Sequence, residues 1–425
     1  MRAADERAAP RRWQRLLIGW VATLLSFAAA AQPGTDAAAT PGEAGRLRVA
    51  LVTIAPGALY WERFGHNAIL IDDRERGQSL LYNFGYFDFD QAHFFLNFIR
   101  GRMLYRLAAT DPRADLAGYR EEGRSVWVQE LALEPAAAQA LAGALAEHAQ
   151  PAHAEYRYDY YANNCSTKVR DALDQALNGA LRAQSIGRGR GETYRSLSRA
   201  YAAPEPWLAL GIDLGLGPAA DRQISFWEEA FLPMRLRDLV AELQLPGPDG
   251  EPRPLATPPQ QVVIGAVWPG EPQAPRWWLR FVLLGLALAM LPWFGLRAQR
   301  PLWRKLAAAG SALFSLLLGL VGLGLLGLWC CTDHTIAAAN ANLAVFSPLS
   351  LALVWPLWRR HRRGHQSGRF GLWTARLILL GIAAVIALGM LKFSPLQQTD
   401  WLALLLPWHL AVWAVLGREA GGDKR

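Results

Sequence analysis

The chain has 425 residues, 52% of them hydrophobic, a formal net charge of +8 and three cysteines. That length leaves room for two or three domains. The charge does not mark a nucleic-acid binder, because much of it sits in an N-terminal leader and in the loops of an apolar C-terminal half, where it sets membrane topology; and with Cys165 the only cysteine before Cys330, a structural disulfide inside the polar half is excluded.

Residues 1–31 read as a signal peptide. Arg2, Arg7, Arg11, Arg12 and Arg15 form a basic leader, Leu16 to Phe27 an apolar run, and "AAAAQPG" a small-residue cleavage site. An uncleaved anchor is the alternative, disfavoured because the run is short for a full span. Residues 32–245 have the mixed composition of a soluble domain, and 246–276 form a linker and an approach to the membrane. Residues 277–416 form a five-helix transmembrane domain, with spans near 277–296, 306–329, 343–358, 372–391 and 401–416. Arg297, Arg300, Arg304 and Lys305 fill one connecting loop, and Arg359, Arg360, Arg362, Arg363 and Arg369 another. The loops "CCTDHTIAAANAN" and "KFSPLQQTD" hold one Lys and no Arg. Basic loops stay in the cytoplasm. The soluble domain and the "TDHT" loop therefore face outward, and the tail, 417–425, faces inward.

In "RYDYYANNCSTKVRDALDQAL" the residues Val169, Ala172, Leu173, Ala176 and Leu177 recur at helical spacing, with Gly179 as a stop. Asn163 or Asn164 is a natural N-cap, which puts Cys165 in the first turn. Free N–H groups and the helix dipole there favour a thiolate and can bind a developing oxyanion. The bland alternative is a buried, inert thiol. A thiol nucleophile needs a base. His148 and His153 flank an Ala-rich helix near 134–149 and read as surface residues, and His93 sits in a helical stretch as packing or surface. His66, in "RFGHNAILIDD", follows a glycine and opens a strand. "DDRERG" is a turn and "SLLYNFGYF" the return strand. A hairpin centred near residue 75 sets His66 opposite residue 84, with Asn83 close enough to orient it, and Tyr82 and Asp88 as fallbacks. His-before-Cys order is that of permuted papain-like, NlpC/P60-type thiol enzymes, by analogy of fold.

Five blocks, "YWERFGHNAILIDD", "LLYNFGYFDFD", "NFIRGRMLYRL", "YRYDYYANNCSTKVRDAL" and "DHTIAAANANLAVFSPL", resemble the DUF4105 family, named for the N-terminal periplasmic domain of Lnb, a bacterial lipoprotein N-acyltransferase. The resemblance runs over roughly residues 48–355 and is weakest around 245–275. It implies an α+β, permuted papain-like periplasmic domain followed by an all-α transmembrane bundle in the bacterial cytoplasmic membrane. It also implies an acyl chain moved from a membrane phospholipid, through a thioester, to the α-amino group of an S-diacylglyceryl-cysteine lipoprotein. Carried over residue by residue, the nucleophile is Cys165 and the base His66; Asn83 rests on hairpin geometry alone.

"RGRMLYRL" places Arg100, Arg102 and Arg106 either on a solvated face or on a surface that meets phospholipid headgroups. Asp333, His334, Asn340 and Asn342, in the outward loop after the second span, join Arg102 and Asn164 as candidate substrate-binding residues; the alternative is a loop kept polar by water. His409, within the fifth span, reads as an interhelical hydrogen bond or a functional group. With no metal-ligand spacing, phosphate loop or repeat, the reading needs neither metal nor cofactor. The expected mechanism pairs a Cys165 thiolate with protonated His66. The rival readings are a membrane-tethered cell-wall peptidase and a non-enzymatic membrane assembly or binding protein.

Overall fold

Val49, Leu51, Ile69, Ile71, Tyr82, Phe84 and Leu107 belong to one buried cluster, and Val52, Ile54, Ala68 and Leu81 to another. Side chains alternate along a strand, so these are the two faces of one sheet, and both have to be covered. The computed structural model describes residues 47–87, 91, 93–247, 250–268, 270–362, 369–391 and 399–421. The expected leader, 1–31, and Asp88 lie outside the described residues.

The strands are β1 (Leu47–Ile54), β2 (His66–Asp73), β3 (Gln78–Tyr86), β4 (Leu104–Thr110), β5 (Val126–Glu130), β6 (Glu155–Arg157), β7 (Gln244–Pro246), β8 (Pro252–Pro254) and β9 (Gln260–Val263). Seven of them form one antiparallel sheet in the order β6-β4-β3-β2-β1-β5-β9, while β7 and β8 pair separately. The helices used below are α1 (Phe94–Arg100), α2 (Pro112–Glu121), α3 (Pro135–His148), α4 (Cys165–Ala176), α5 (Tyr194–Tyr201), α6 (Pro206–Gly215) and α7 (Pro233–Glu242). Residues of α3, α4 and α7 cover one face of the sheet; Leu116 and Tyr119 of α2 cover the other. This is a mixed α/β domain followed by a helical region. The stretch read as a linker, 246–276, contains a strand of the main sheet near its middle. Gln260–Val263 pairs with β5 as an edge strand of the main sheet. Its proline-rich flanks hide it in the sequence, because proline is tolerated only at such edges.

Among the described residues, five segments are long and apolar enough to cross a membrane. The first is Trp278–Arg297, the second Pro301–Cys331, the fourth Arg369–Met390 and the fifth Thr399–Gly421. The third, Ala341–Arg359, is not one α-helix. It consists of two 3₁₀ turns, Ala341–Ala344 and Pro348–Leu353, and a short α-helix, Val354–Arg359. Pro348 and Pro356 break the regular ladder. Non-helical backbone is tolerated at membrane depth where protein surrounds it, and the second span supplies that cover. A Cβ at Gly322 would fall 1.9 Å from Phe346 O, and one at Gly319 2.5 Å from Leu351 Cγ, so only glycine lets the broken segment lie so close. His409 Nε2 lies 2.8 Å from Val345 O and donates to a carbonyl freed by the break. At 31 residues, the second helix is about 46 Å long, against a hydrocarbon core of about 30 Å.

The two halves are joined through α5 and α6. Arg195, 1% exposed, donates to Asp221 Oδ1 at 2.6 Å, to Asp213 O at 2.5 Å and to Leu216 O at 2.9 Å. One turn on, Arg199 reaches Asp400 Oδ2 of the fifth span at 2.7 Å. Asn340 Nδ2 donates to Leu214 O at 2.8 Å, Asn342 Nδ2 to the same oxygen at 3.1 Å, and Gly217 N–H to Ile336 O at 2.8 Å. The loop after the second span thus supplies partners for the unpaired end of α6. Replacing Arg195 by Met keeps the stem and strands Asp213 and Asp221. We expect a loss of about 3–5 kcal/mol, read as a drop in the melting temperature of the detergent-purified protein, while Arg188→Met at a solvent-exposed pair changes it little. An unchanged melting temperature for Arg195→Met would show the buried network to be idle.

Candidate active site

Cys165 opens α4, and Asn164 caps the helix. Asn164 Oδ1 accepts from Thr167 N–H at 2.9 Å, and Nδ2 donates to Tyr160 O at 2.8 Å and Phe231 O at 2.9 Å. Its side chain is spent on fixing the helix start. Ser166 Oγ lies 2.8 Å from Asn67 Oδ1, and Asn67 Nδ2 donates to Thr53 Oγ1 at 2.9 Å. All three residues are fully buried, so this chain pins the first turn of α4 onto β2 and β1. The backbone N–H groups of Asn67, Ser166 and Cys165 itself favour the thiolate form, against the effect of burial.

His66 opens β2 beside Asn67. Its Nε2 is 2.9 Å from Asn83 Oδ1 on β3. Asn83 Nδ2 faces Thr110 Oγ1 at 2.8 Å and Asp115 Oδ2 of α2 at 3.0 Å, both acceptors. The amide orientation is therefore fixed by its partners: Oδ1 accepts from His66 Nε2–H, and Nδ1 keeps its lone pair. The hairpin register is one place from the expected one. Ala68 stands opposite Asn83 and Asp73 opposite Gln78, which carries Gly85, not residue 84, to the position facing His66. That shift puts Asn83 on the His66 face and turns Tyr82 into the core on the other. Gly85 takes φ +108, and a Cβ there would lie 3.5 Å from Cys165 Cβ. The histidine side of the site thus comes from the α2 face of the sheet and the thiol from the α4 face, and they converge where the sheet ends. Among the described residues no hydrogen bond joins Cys165 to His66; such bonds often tighten only in the reacting complex.

Burial lowers His66 from 6.5 to about 4, with the Asn83 hydrogen bond opposing and the Arg124 charge assisting. Burial also pushes the Cys165 thiol up, against the three N–H donors and Arg124. Both shifts favour a neutral thiol and a neutral imidazole over the expected thiolate–imidazolium pair. The helix start does favour the anion, but desolvation outweighs it. Burial, and then the nearby thiol, also raise the hydroxyls of Tyr156 and Tyr158.

The other expected residues lie outward. Arg102 Nε donates to Asp333 Oδ2 at 2.9 Å, and Arg157 pairs with the same carboxylate, which holds Asp333 below the usual range. His334 Nε2 is 3.2 Å from Ile99 O. Arg102, Asp333 and His334 thus meet at α1, whereas Asn340 and Asn342 bind the end of α6. His93 and His153 are exposed; His148 is half-buried with its ring against Phe84. Cys165, Cys330 and Cys331 are all free. Sequence reasoning missed Asn67, Thr110, Asp115 and Arg124. Asn67 alone left a signal, as a polar residue opening an apolar strand.

A mixed α/β domain docked on five apolar, membrane-length segments among the described residues defines a multi-pass membrane protein, with Cys165 and His66 at one end of the sheet in its extramembrane part. Two family models match it: the Lnb N-terminal periplasmic domain over residues 42–200 and the Lnb transmembrane domain over residues 274–415. Between them they cover most of the sequence, and the chain belongs to the Lnb family. No curated protein and no solved structure matches.

Two outcomes follow from this geometry. Because its pKa is raised, Cys165 stays protonated at neutral pH, so its alkylation by iodoacetamide should be slow at pH 7 and climb through the alkaline range; a fast rate already on a plateau below pH 7 would show a preformed ion pair. Asn83→Ala removes the Nε2 partner and should lower turnover by about tenfold to a hundredfold, the equivalent of one buried hydrogen bond, with the protein level in membranes unchanged. Wild-type turnover would mean that Asn83 does not orient the ring.

Proposed function

We propose that this protein is a lipoprotein N-acyltransferase of the bacterial cytoplasmic membrane, its catalytic domain in the periplasm. The observation that carries the reading is the hydrogen bond that fixes the His66 tautomer at the end of the sheet where a helix-opening cysteine arrives, in a domain fastened to membrane-spanning segments. The donor is a phospholipid and the acceptor an S-diacylglyceryl-cysteine lipoprotein. Cys165 Sγ attacks the ester carbonyl as His66 Nδ1 takes the thiol proton. The oxyanion falls to the backbone N–H groups around the thiol. The C–O bond breaks, His66 returns the proton to the departing lysophospholipid oxygen, and a thioester remains. The lipoprotein amine then attacks, losing a proton to His66. The thiolate leaves and takes that proton back, completing the amide. His66→Ala should lower the rate about 10²–10⁴-fold.

The thioester separates this reading from peptide cleavage and from simple lipid binding. Incubated with phospholipid alone, the protein should gain the mass of one acyl chain. Neutral hydroxylamine should remove it, and an S-diacylglyceryl-cysteine peptide should discharge it and gain the same mass. Cys165→Ala should gain nothing. An equal gain in that variant, or cleavage of a peptide with no adduct, would end the proposal.

A further inference from the structure

Helix α1 shows its apolar side chains to the outside. Phe95 is 76% exposed, Ile99 60%, Phe98 46% and Leu96 43%. Arg100 closes the helix. This face is not free to point anywhere, because the outer end of the second span holds the helix. Asp333 N–H donates to Arg100 O at 2.8 Å, and the ring of His334 meets the carbonyls of Phe98 and Ile99 at 3.3 and 3.2 Å. Cys331, the last residue of the membrane helix, is two residues before Asp333. A helix pinned there lies at the level where the chain leaves the bilayer. Exposed aromatic and aliphatic side chains next to arginine suit the boundary between acyl chains and phosphates.

A second anchorage sets the same level from another side. Trp207, 60% exposed, opens α6 and lies 6.0 Å from the Tyr60 ring, while α6 packs on Phe281 of the first span. On its inner side α1 leads to the site: Phe94 stacks at 6.1 Å on Phe87, Phe87 at 5.1 Å on Tyr105, Tyr105 lies 4.1 Å from Tyr158, and both tyrosines pack against the same buried cluster as Cys165.

We propose that α1 is an interfacial helix seated in the outer leaflet, with Phe95, Phe98 and Ile99 among the acyl chains and Arg100 at the phosphates, and that phospholipid passes along it from the bilayer to Cys165. The occupant of this face is a lipid surface, continuous with the one around the membrane spans. The passage of donor lipid rests on the acyl-transfer reading; the seating of the helix does not.

The seating is tested first, in full-length protein in phosphatidylglycerol–phosphatidylethanolamine vesicles. A nitroxide is placed by Phe95→Cys, or separately by Phe98→Cys, in a background of Cys165→Ser, Cys330→Ser and Cys331→Ser, with Glu121→Cys on exposed α2 as the reference. Collision with oxygen should exceed, and collision with a water-soluble nickel chelate should fall below, the reference values. Equal nickel access at the three positions would overturn the proposal. So would spin–spin broadening that grows with protein density, which would assign the face to a second copy of the chain. The passage is tested with Phe95→Ser combined with Phe98→Ser in otherwise native protein. The acyl adduct should form on the order of tenfold more slowly from vesicle phospholipid, and at the wild-type rate from a water-soluble short-chain phospholipid. Equal loss with both donors would make α1 structural and overturn the passage. If wild-type protein forms no adduct with either donor, the acyl-transfer reading and the passage fail together, while the nitroxide result still decides the seating.

Discussion

A guanidinium with almost no exposed surface has to be given partners on every side, and Arg195 receives them from Asp213, Asp221 and the end of α6. The cost of taking those charges out of water is recovered only while the geometry holds. The rest of the molecule is arranged around that condition. The same helix carries Arg199 to the fifth span, and the same helix end receives Asn340, Asn342 and Ile336 from the loop after the second. The extramembrane domain is therefore set at a defined height and rotation over the bundle.

Within the domain, burial governs the chemistry more than the helix start does. A thiol flanked by N–H donors would ionise readily at a wet surface; packed with Tyr105, Tyr156 and Tyr158, it is pushed by burial towards its neutral form, as is the imidazole. A neutral pair would suit the proposed nucleophile, which has to wait at a membrane without being oxidised or alkylated, since the thiolate is the reactive form. In the proposed reaction proton transfer would coincide with attack, and the Asn83–Asp115–Thr110 cluster holds the ring in the one tautomer that permits it.

Local features were legible in the chain. A cap at Asn163 or Asn164, the strand after His66, the helix after Cys165 and four of the five spans as continuous helices could be read from periodicity and turn chemistry. The features that depend on distant partners could not. The register at Asn83 turns on how many residues the loop holds, and one residue exchanges the two faces of a strand. The third span looks like an ordinary apolar run, because the glycines that admit its broken backbone lie on another helix. Asp333, His334, Asn340 and Asn342 read as ligand-binding groups, yet their side chains meet arginines and backbone carbonyls of the outer domain. Arg195 sits in an unremarkable polar stretch, and nothing nearby in sequence announces Asp213 or Asp221.

The second membrane helix is a stiff rod about half as long again as the layer it crosses, with the extramembrane domain clasped to its outer tip. Such a rod acts as a gauge. In a thicker or thinner membrane it must tilt or leave a different length standing proud, and either change moves the thiol relative to the plane of the ester bonds. Membrane thickness is thereby built into the alignment of the site as a mechanical variable, set by lipid composition and independent of any ligand.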